Sequence, residues 1–376
     1  MEKSLKEIRK YLHQYPELSH QEINTSQFIK EQILLLDPDD VIALGDYSQL
    51  FVFDSDKPGA VLVFRADMDG LPIAEKNTFK HRSKNKNCSH VCGHDGHSTI
   101  LIGMARKIAK NRPQKGKIGL LFQSAEETGK GAKAVVNHPA FKALKPDCIF
   151  GFHNIPGFPL GQILLRKGVF ASASKGMILK LIGRTSHAAE PEKGINPALA
   201  MAEITHQLNL LNTAKGKFSS LSLLTFIYSR MGEIAFGTSA GKAEMGFTLR
   251  SFESSDMELL CSESEKRIEE VCRQQNLSFN IEYVEEFPIT QNDKELYSWI
   301  HQAAKSLGHS IKVLDEPMKW SEDFGYYREV CETGFFGIGA GLEHANLHDP
   351  SYDFPDKIID TTIQTLDYIY RLLVVD

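Results

Sequence analysis

No run of apolar residues in this chain approaches the ~18 that a membrane-spanning helix requires. Basic residues are not in excess: 43 Lys and Arg stand against 48 Asp and Glu, a formal net charge of −5. A nucleic-acid or membrane-surface protein would favour a basic face, and no Lys/Arg cluster interleaved with aromatics is present. Neither nucleic acid nor membrane is therefore an expected partner. The opening segment, MEKSLKEIRKYLHQYPEL, is charged and lacks an apolar run followed by small residues, so it does not read as a signal peptide. The expected compartment is the cytoplasm. There the six cysteines (Cys88, Cys92, Cys148, Cys261, Cys272 and Cys331) would be reduced thiols rather than disulfides. Internal repeats and low-complexity segments are also lacking.

What is there is an ordinary globular composition, 42% hydrophobic and 24% charged, spread over 376 residues. That length exceeds what one hydrophobic core usually fills, so two domains are expected. The first third alternates short apolar runs (59–67, 117–127, 147–153) with helical stretches such as 98–111, after an N-terminal helix at 1–35 broken at Pro16. Buried strands alternating with helices imply a largely parallel sheet covered on both faces. The middle third reads strand 176–183, helix 196–211, strands 220–230 and 242–252, helix 254–275 and strand 277–287. That β-α-β-β-α-β order is ferredoxin-like. The expected architecture is therefore α/β: a mixed, largely parallel catalytic domain at 1–173 and 289–376, interrupted by an α+β insertion at 174–288.

Chemistry concentrates at the ends of the apolar strands, where open α/β sheets form their sites. His90-Val91-Cys92-Gly93-His94-Asp95-Gly96-His97 packs three histidines, a cysteine and an aspartate into eight residues. Cys92 and His94 are close enough to reach one small site from a tight turn. A thiolate beside an imidazole suits zinc, cobalt, nickel or manganese rather than calcium or magnesium. A polar surface loop, or a structural zinc site, is the blander reading. A structural site usually needs four closed ligands, often in Cys-x-x-Cys pairs, and Cys88 and Cys92 have the wrong spacing.

Gln123-Ser124-Ala125-Glu126-Glu127 closes a second apolar strand. Adjacent carboxylates point to different sides, so one can bind metal while the other moves the proton of an activated water. Alone, such a pair is often merely solvated. His153 closes a third strand, and His348 stands in LHDPSYDF. A lone histidine is usually structural, but His153 gains weight from its neighbours. Arg65-Ala66-Asp67-Met68-Asp69-Gly70 closes the first strand. Its aspartates, Asp69 among them, could orient ligand imidazoles, or form a simple turn. Arg250 ends a strand of the insertion, where it could pair with a substrate carboxylate or form a structural salt bridge.

Taken in order, RADMDGLP, HVCGHDGH, QSAEE, GFHNIPG, GRTSHAAEP and LHDPSYDF resemble the dinuclear metal amidohydrolases of the aminoacylase and carboxypeptidase superfamily. The branch it is similar to holds hippurate hydrolases, indole-acetyl-amino-acid hydrolases and N-acetyldiaminopimelate deacetylases. The resemblance spans nearly the whole chain, from LHQYPEL to YDFPD. It implies two divalent ions per subunit (Zn, Mn, Co or Ni) held by Cys92, His94, Glu127, His153 and His348. It also implies Glu126 as general base and acid. The insertion becomes a lid and the dimerisation surface of a homodimer, bringing His187 to the substrate. The implied activity is hydrolysis of the amide bond of an N-acyl amino acid. The same site would also suit a metallo-exopeptidase acting on dipeptides, and a non-catalytic binding protein could keep the fold. The chain departs from the pattern in the insertion, where the family commonly has Asn-Val-Ile-Pro. Here Gly237, in Phe-Gly-Thr-Ser-Ala, stands where that Asn would. The segment after Leu71-Pro72 is also shortened, so the substrate class is left open.

Overall fold

The runs at Val61–Asp67, Lys117–Gln123 and Cys148–Pro156 become neighbouring strands because each is apolar on both sides and buries almost every residue. In the computed structural model, which describes residues 3–214 and 216–375, they form the centre of an eight-stranded sheet. The strand order is Asp40–Ala43, Gln49–Asp54, Lys117–Gln123, Val61–Asp67, Cys148–Pro156, Glu332–Gly341, Ile163–Leu165, Ile311–Val313. The central pairings are parallel, whereas Gln49–Asp54 and Asp40–Ala43 join antiparallel at one edge. The fold is thus the mixed, largely parallel α/β sheet expected from the sequence.

Helix His94–Lys110 crosses this sheet and packs against Leu5–Gln14 and Ile358–Tyr370. The first of these begins with a capping box in which Ser4 and Glu7 satisfy each other's backbone N–H groups. The core beneath includes Phe51, Phe64, Phe122 and Phe150, all essentially inaccessible. Each contributes about 1.5–3 kcal/mol of burial.

The chain divides into two compact units: Met1–Phe170 with Thr290–Pro317 and Glu322–Asp376, and Ala171–Ile289 with Met318–Ser321. The second unit is a four-stranded antiparallel sheet in the order Ser222–Met231, Lys242–Ser251, Ala173–Ile182, Ser278–Phe287. Helices Ala198–Asn209 and Ser254–Gln274 supply Ile204, Leu208, Leu260 and Ile268 to a core shared with Met177, Leu179, Phe247 and Leu249. Its edge strand Ser222–Met231 leaves Phe226, Ile227 and Met231 exposed.

Two local expectations shift. The helix read at 98–111 starts four residues earlier, so His94 lies in its first turn rather than in a loop before it. Asp95 in that turn complements the positive end of the helix dipole. The strand read to end at His153 continues to Pro156, because Glu332–Gly341 pairs with it in parallel along its whole length. His153 is consequently held in the middle of a strand, not at its end.

Candidate metal centre

Three backbone positions with positive φ shape the site. Gly93, between Cys92 and His94, has φ +98°, and a Cβ there would meet the Asn154 amide at 2.5 Å. Only glycine fits this turn. Ala125, just before Glu126, has φ +53°, and its N–H donates to the buried Glu22 carboxylate at 2.7 Å. His348 has φ +66°, and its N–H donates to the Val91 carbonyl at 2.8 Å. A non-glycine residue in this region costs roughly 1–2 kcal/mol, and such strain concentrates at functional sites.

These turns bring the motif residues together in the first unit. Two groups of possible ligand atoms share Cys92: Cys92, His94 and His153, and Cys92, Glu127 and His348. The Cys92 Sγ lies 3.5 Å from His153 Nε2. Glu127 lies with Oε1 3.8 Å from His94 Nε2 and Oε2 3.9 Å from His348 Nε2. Donors bound to one ion at about 2.0–2.3 Å sit at most ~4.3 Å apart, and all three separations satisfy that limit. Glu126 joins His94 and Glu127 in a further group, with its Oε1 accepting the Asp323 backbone N–H at 3.3 Å.

The imidazoles are oriented for metal. His94 Nδ1 donates to the Asp69 carbonyl at 3.0 Å and approaches the Asp69 carboxylate at 3.2 Å. His153 Nδ1 donates to the Asn154 carbonyl at 2.7 Å. Because a carbonyl only accepts, Nδ1 carries a proton in each ring, so in the neutral ring Nε2 presents a lone pair to the site. Asp69 thus contacts the His94 ring on the side away from Nε2. Both His94 Nε2 and Glu127 Oε1 are buried with no hydrogen-bond partner among the described residues. Orphaned buried acceptors aimed at one another are costly unless a cation joins them. The donor set therefore fits divalent ions.

The electrostatics agree. Asp67, Asp69, Glu126, Glu322 and Asp323 are all buried, and Arg65 is the buried cation among them. Arg65 contacts Asp67 Oδ2 at 2.5 Å, Asp323 Oδ1 at 2.8 Å and Gln123 Oε1 at 2.8 Å. Burial, followed by the negative charge of Glu322, Asp323 and Glu127, holds the Glu126 carboxyl well above the usual range. Burial pushes Glu127 up to about 7 despite His94, with Asp67 and Asp69 adding to the rise. Burial opposes charge on His94, yet Asp67 and Asp69 raise it to about 10. Burial and the carboxylates of Glu127 and Glu126 push the Cys92 thiol far up. Positive charge placed among these groups would reverse each of these trends, toward thiolate, carboxylate and neutral imidazole.

Of the residues anticipated from the sequence, Cys92, His94, Glu126, Glu127, His153, His348 and Asp69 converge here. His187 and Arg250 belong to the second unit. His187 is exposed, its strand Ser186–His187 pairing with Thr238–Ser239 beside Gly237. Arg250 donates through Nη1 to the Lys319 carbonyl at 3.0 Å and to Ser321 Oγ at 2.9 Å. Gly237 has open space where a side chain would project. Sequence reading missed Glu322, Asp323 and Asn154. The Glu322-Asp323 pair carried the same signal as Glu126-Glu127, two adjacent carboxylates, but no apolar strand precedes it.

A family model described as peptidase family M20/M25/M40 matches residues 63–371. The chain belongs to this family. Similar curated relatives include an N-acetyldiaminopimelate deacetylase of Exiguobacterium sibiricum, 29% identical over 97% of this chain and 98% of the relative. A hippurate hydrolase of Campylobacter jejuni is 27% identical over 94% and 92%. An IAA-amino acid hydrolase ILR1-like 2 of Arabidopsis thaliana is 30% identical over 94% and 81%. Among solved structures, one from methicillin resistant Staphylococcus aureus superposes with a TM-score of 0.87 at 25% identity, covering 97% of this chain and 96% of that one. A Bacillus subtilis protein described as a dinuclear metal binding peptidase from the M20 family shares the fold, with a TM-score of 0.82 at 23% identity over 98% and 97%. The hydrolase class expected from the motifs stands.

Proposed function

We propose that this protein is a metal-dependent amidohydrolase that cleaves the amide bond of an N-acyl amino acid, releasing a carboxylate and a free amino acid. The observation that carries the reading is the pair of ligand groups sharing Cys92, with Glu126 beside them and the orphaned lone pairs of His94 and Glu127 facing inward. Similarity to relatives named as deacetylase and hippurate hydrolase supports the substrate class.

Cys92, His94, Glu127, His153 and His348 would hold two ions of zinc, manganese, cobalt or nickel. Such ions acidify water and polarise a carbonyl when bound. Glu126 takes the proton of the attacking water and delivers it to the departing nitrogen. Its buried position and anionic surroundings favour a carboxyl that both accepts and returns a proton. Arg65 and the Asp323 N–H hold the Glu126 side of the site in place through the contacts described above. Arg250 is assigned to the substrate carboxylate. It is half-buried without a carboxylate partner among the described residues, and burial alone lowers its pKa. His187 is assigned to hydrogen bonding of the oxygen that gains charge during attack.

The same reading includes a homodimer through the second unit. Phe226, Ile227 and Met231 on its edge strand continue into Ile234 and Phe236, which are 97% and 95% exposed. An unpaired apolar edge of this kind favours a second copy. Residence in the cytoplasm accords with six free cysteines, one of them a ligand. No helix among the described residues is long and apolar enough to cross a membrane.

The test is to strip the protein with a chelator, reload it with Zn, Mn, Co or Ni, and incubate it with a mixed panel of N-acyl amino acids and dipeptides. Mass spectrometry should detect free amino acids from the acyl compounds only after reloading. Cleavage confined to the dipeptides would favour an exopeptidase, and no cleavage by metal-loaded protein would leave a binding role.

A further inference from the structure

Five ligands leave one buried acidic group of the site without a role. Glu322 is 3% exposed, belongs to the first unit and points its Oε1 at His153 Nε2, 3.6 Å away. Its Oε2 is buried and has no hydrogen-bond partner among the described residues. We infer that Glu322 is a further metal ligand, completing the shell of the ion held by Cys92 and His153. The inference rests on the metal reading of the site.

Three observations carry it. First, the contact with His153 cannot be a hydrogen bond. His153 Nδ1 is committed as donor to the Asn154 carbonyl, so the neutral ring presents only a lone pair at Nε2. At 3.6 Å the Glu322 oxygen is beyond hydrogen-bond distance of Nε2, whose near neighbour is the Cys92 sulfur at 3.5 Å, so sulfur, nitrogen and oxygen face one another across one small space. A cation between them would join all three, and 3.6 Å lies within the ~4.3 Å span open to two ligands of one ion.

Second, Arg65 does not explain the placement of Glu322. The nearest approach, from Arg65 Nη1 to Glu322 Oε2, is 3.7 Å, too long for a hydrogen bond. The guanidinium is already engaged by Asp67, Asp323 and Gln123 at 2.5–2.8 Å. Burying a carboxylate costs several kcal/mol, and contacts as long as 3.6 and 3.7 Å with no hydrogen bond to Oε2 offset little of it, so a closer cation would stabilise Glu322.

Third, the charges balance better with it. Two divalent ions bring four positive charges, and among the five anticipated ligands only Cys92 and Glu127 are anionic. A carboxylate from Glu322 supplies a third negative charge on the side where His153 is neutral. Oxygen, nitrogen and sulfur together on one ion suit the borderline metals already indicated.

The experiment compares wild type with Glu322→Gln, which keeps shape and removes the charge. Metal content is measured by elemental analysis, affinity by competition with a chromophoric chelator, and coordination by the visible spectrum of the cobalt-loaded protein. The expected result is two ions per wild-type chain, an affinity for one of them lowered by about 10- to 100-fold in Glu322→Gln, and altered cobalt bands. Unchanged stoichiometry, affinity and cobalt spectrum in the variant would overturn the inference while leaving the metal reading intact. A wild type that binds no metal would overturn both. If Glu322→Gln does not fold, a crystal structure of the metal-loaded wild type decides. A Glu322 oxygen within about 2.0–2.3 Å of an ion supports the assignment, and one beyond 3 Å refutes it.

Discussion

Cys92 Sγ and His153 Nε2 lie 3.5 Å apart although 61 residues separate them in the chain. The first sits in the turn before a helix and the second in the middle of a buried strand. What joins them is the Asn154 side chain, whose amide nitrogen donates to the Cys92 carbonyl at 3.1 Å while its oxygen meets His97 Nε2 at 2.5 Å. Asn154 therefore clamps the Cys92–His94 turn to the sheet, and it does so in the space that Gly93 leaves empty.

That clamp makes Gly93→Ala the sharpest test of the turn. The added Cβ would meet Asn154 Oδ1 at 2.5 Å, at a φ of +98° that alanine disfavours. Asn154 must move, and Cys92 and His94 with it. Metal stoichiometry measured by elemental analysis should fall well below that of wild type. Full metal loading in a folded Gly93→Ala protein would show that the turn is more tolerant than this geometry requires.

A second buried network lies behind the turn. His13 Nδ1 pairs with Asp95 Oδ2 at 2.8 Å, and His13 Nε2 with Glu75 Oε1 at 3.2 Å. Burial lowers the His13 pKa, but Asp95 and Glu75 outweigh it and raise it to about 9. A raised histidine pKa stabilises the fold fully below the unfolded value near 6.5, and the contribution disappears as pH rises through about 9. The shift corresponds to a contribution on the order of 3 kcal/mol. Thermal melts of the wild type should therefore show Tm declining between pH 6.5 and 9, and His13→Asn should flatten that decline. Parallel declines in both proteins would assign the effect to other groups.

Much of this was legible in the chain and some was not. His94, Cys92 and the Glu126–Glu127 pair announce themselves because candidate ligands of one ion lie close in sequence or at the ends of apolar strands. His348 and Glu322 reach the same site from the last sixth of the chain. Periodicity cannot reveal such partners, because long-range packing alone decides which distant turn faces which strand. The helix extends back to His94 without a periodic signal because its first turn is built from histidine, aspartate and glycine rather than from an apolar stripe. The four-residue return of Met318–Ser321 to the second unit has no compositional mark at all.

Arg250 separates recognition from structure. Its Nη1 is used by Lys319 and Ser321, a contact that orders the segment Met318–Ser321. If the rest of the guanidinium receives the substrate carboxylate, Arg250→Ala should depress kcat/KM for N-acyl amino acids by about tenfold or more beyond its effect on the matching amides. Equal losses on both substrates would leave Arg250 a structural residue.

His187 and the dimer can be tested together. Glu126→Gln and His187→Ala subunits, each inactive alone, are unfolded, mixed and refolded. If His187 serves the neighbouring subunit's site, one site in each mixed dimer has both groups and activity returns toward a quarter of wild type. If it serves its own chain, the mixture stays inactive. A monomeric mass by light scattering would exclude the dimer outright.

In the proposed mechanism Glu126 is the group that moves the proton. Glu126→Gln preserves shape, so metal-loaded variant and wild type can be compared on the same N-acyl amino acid with metal content measured in the same samples. The predicted result is undiminished metal with kcat lowered by about 100- to 10,000-fold. Near-normal turnover in fully metal-loaded Glu126→Gln would contradict the proposed mechanism.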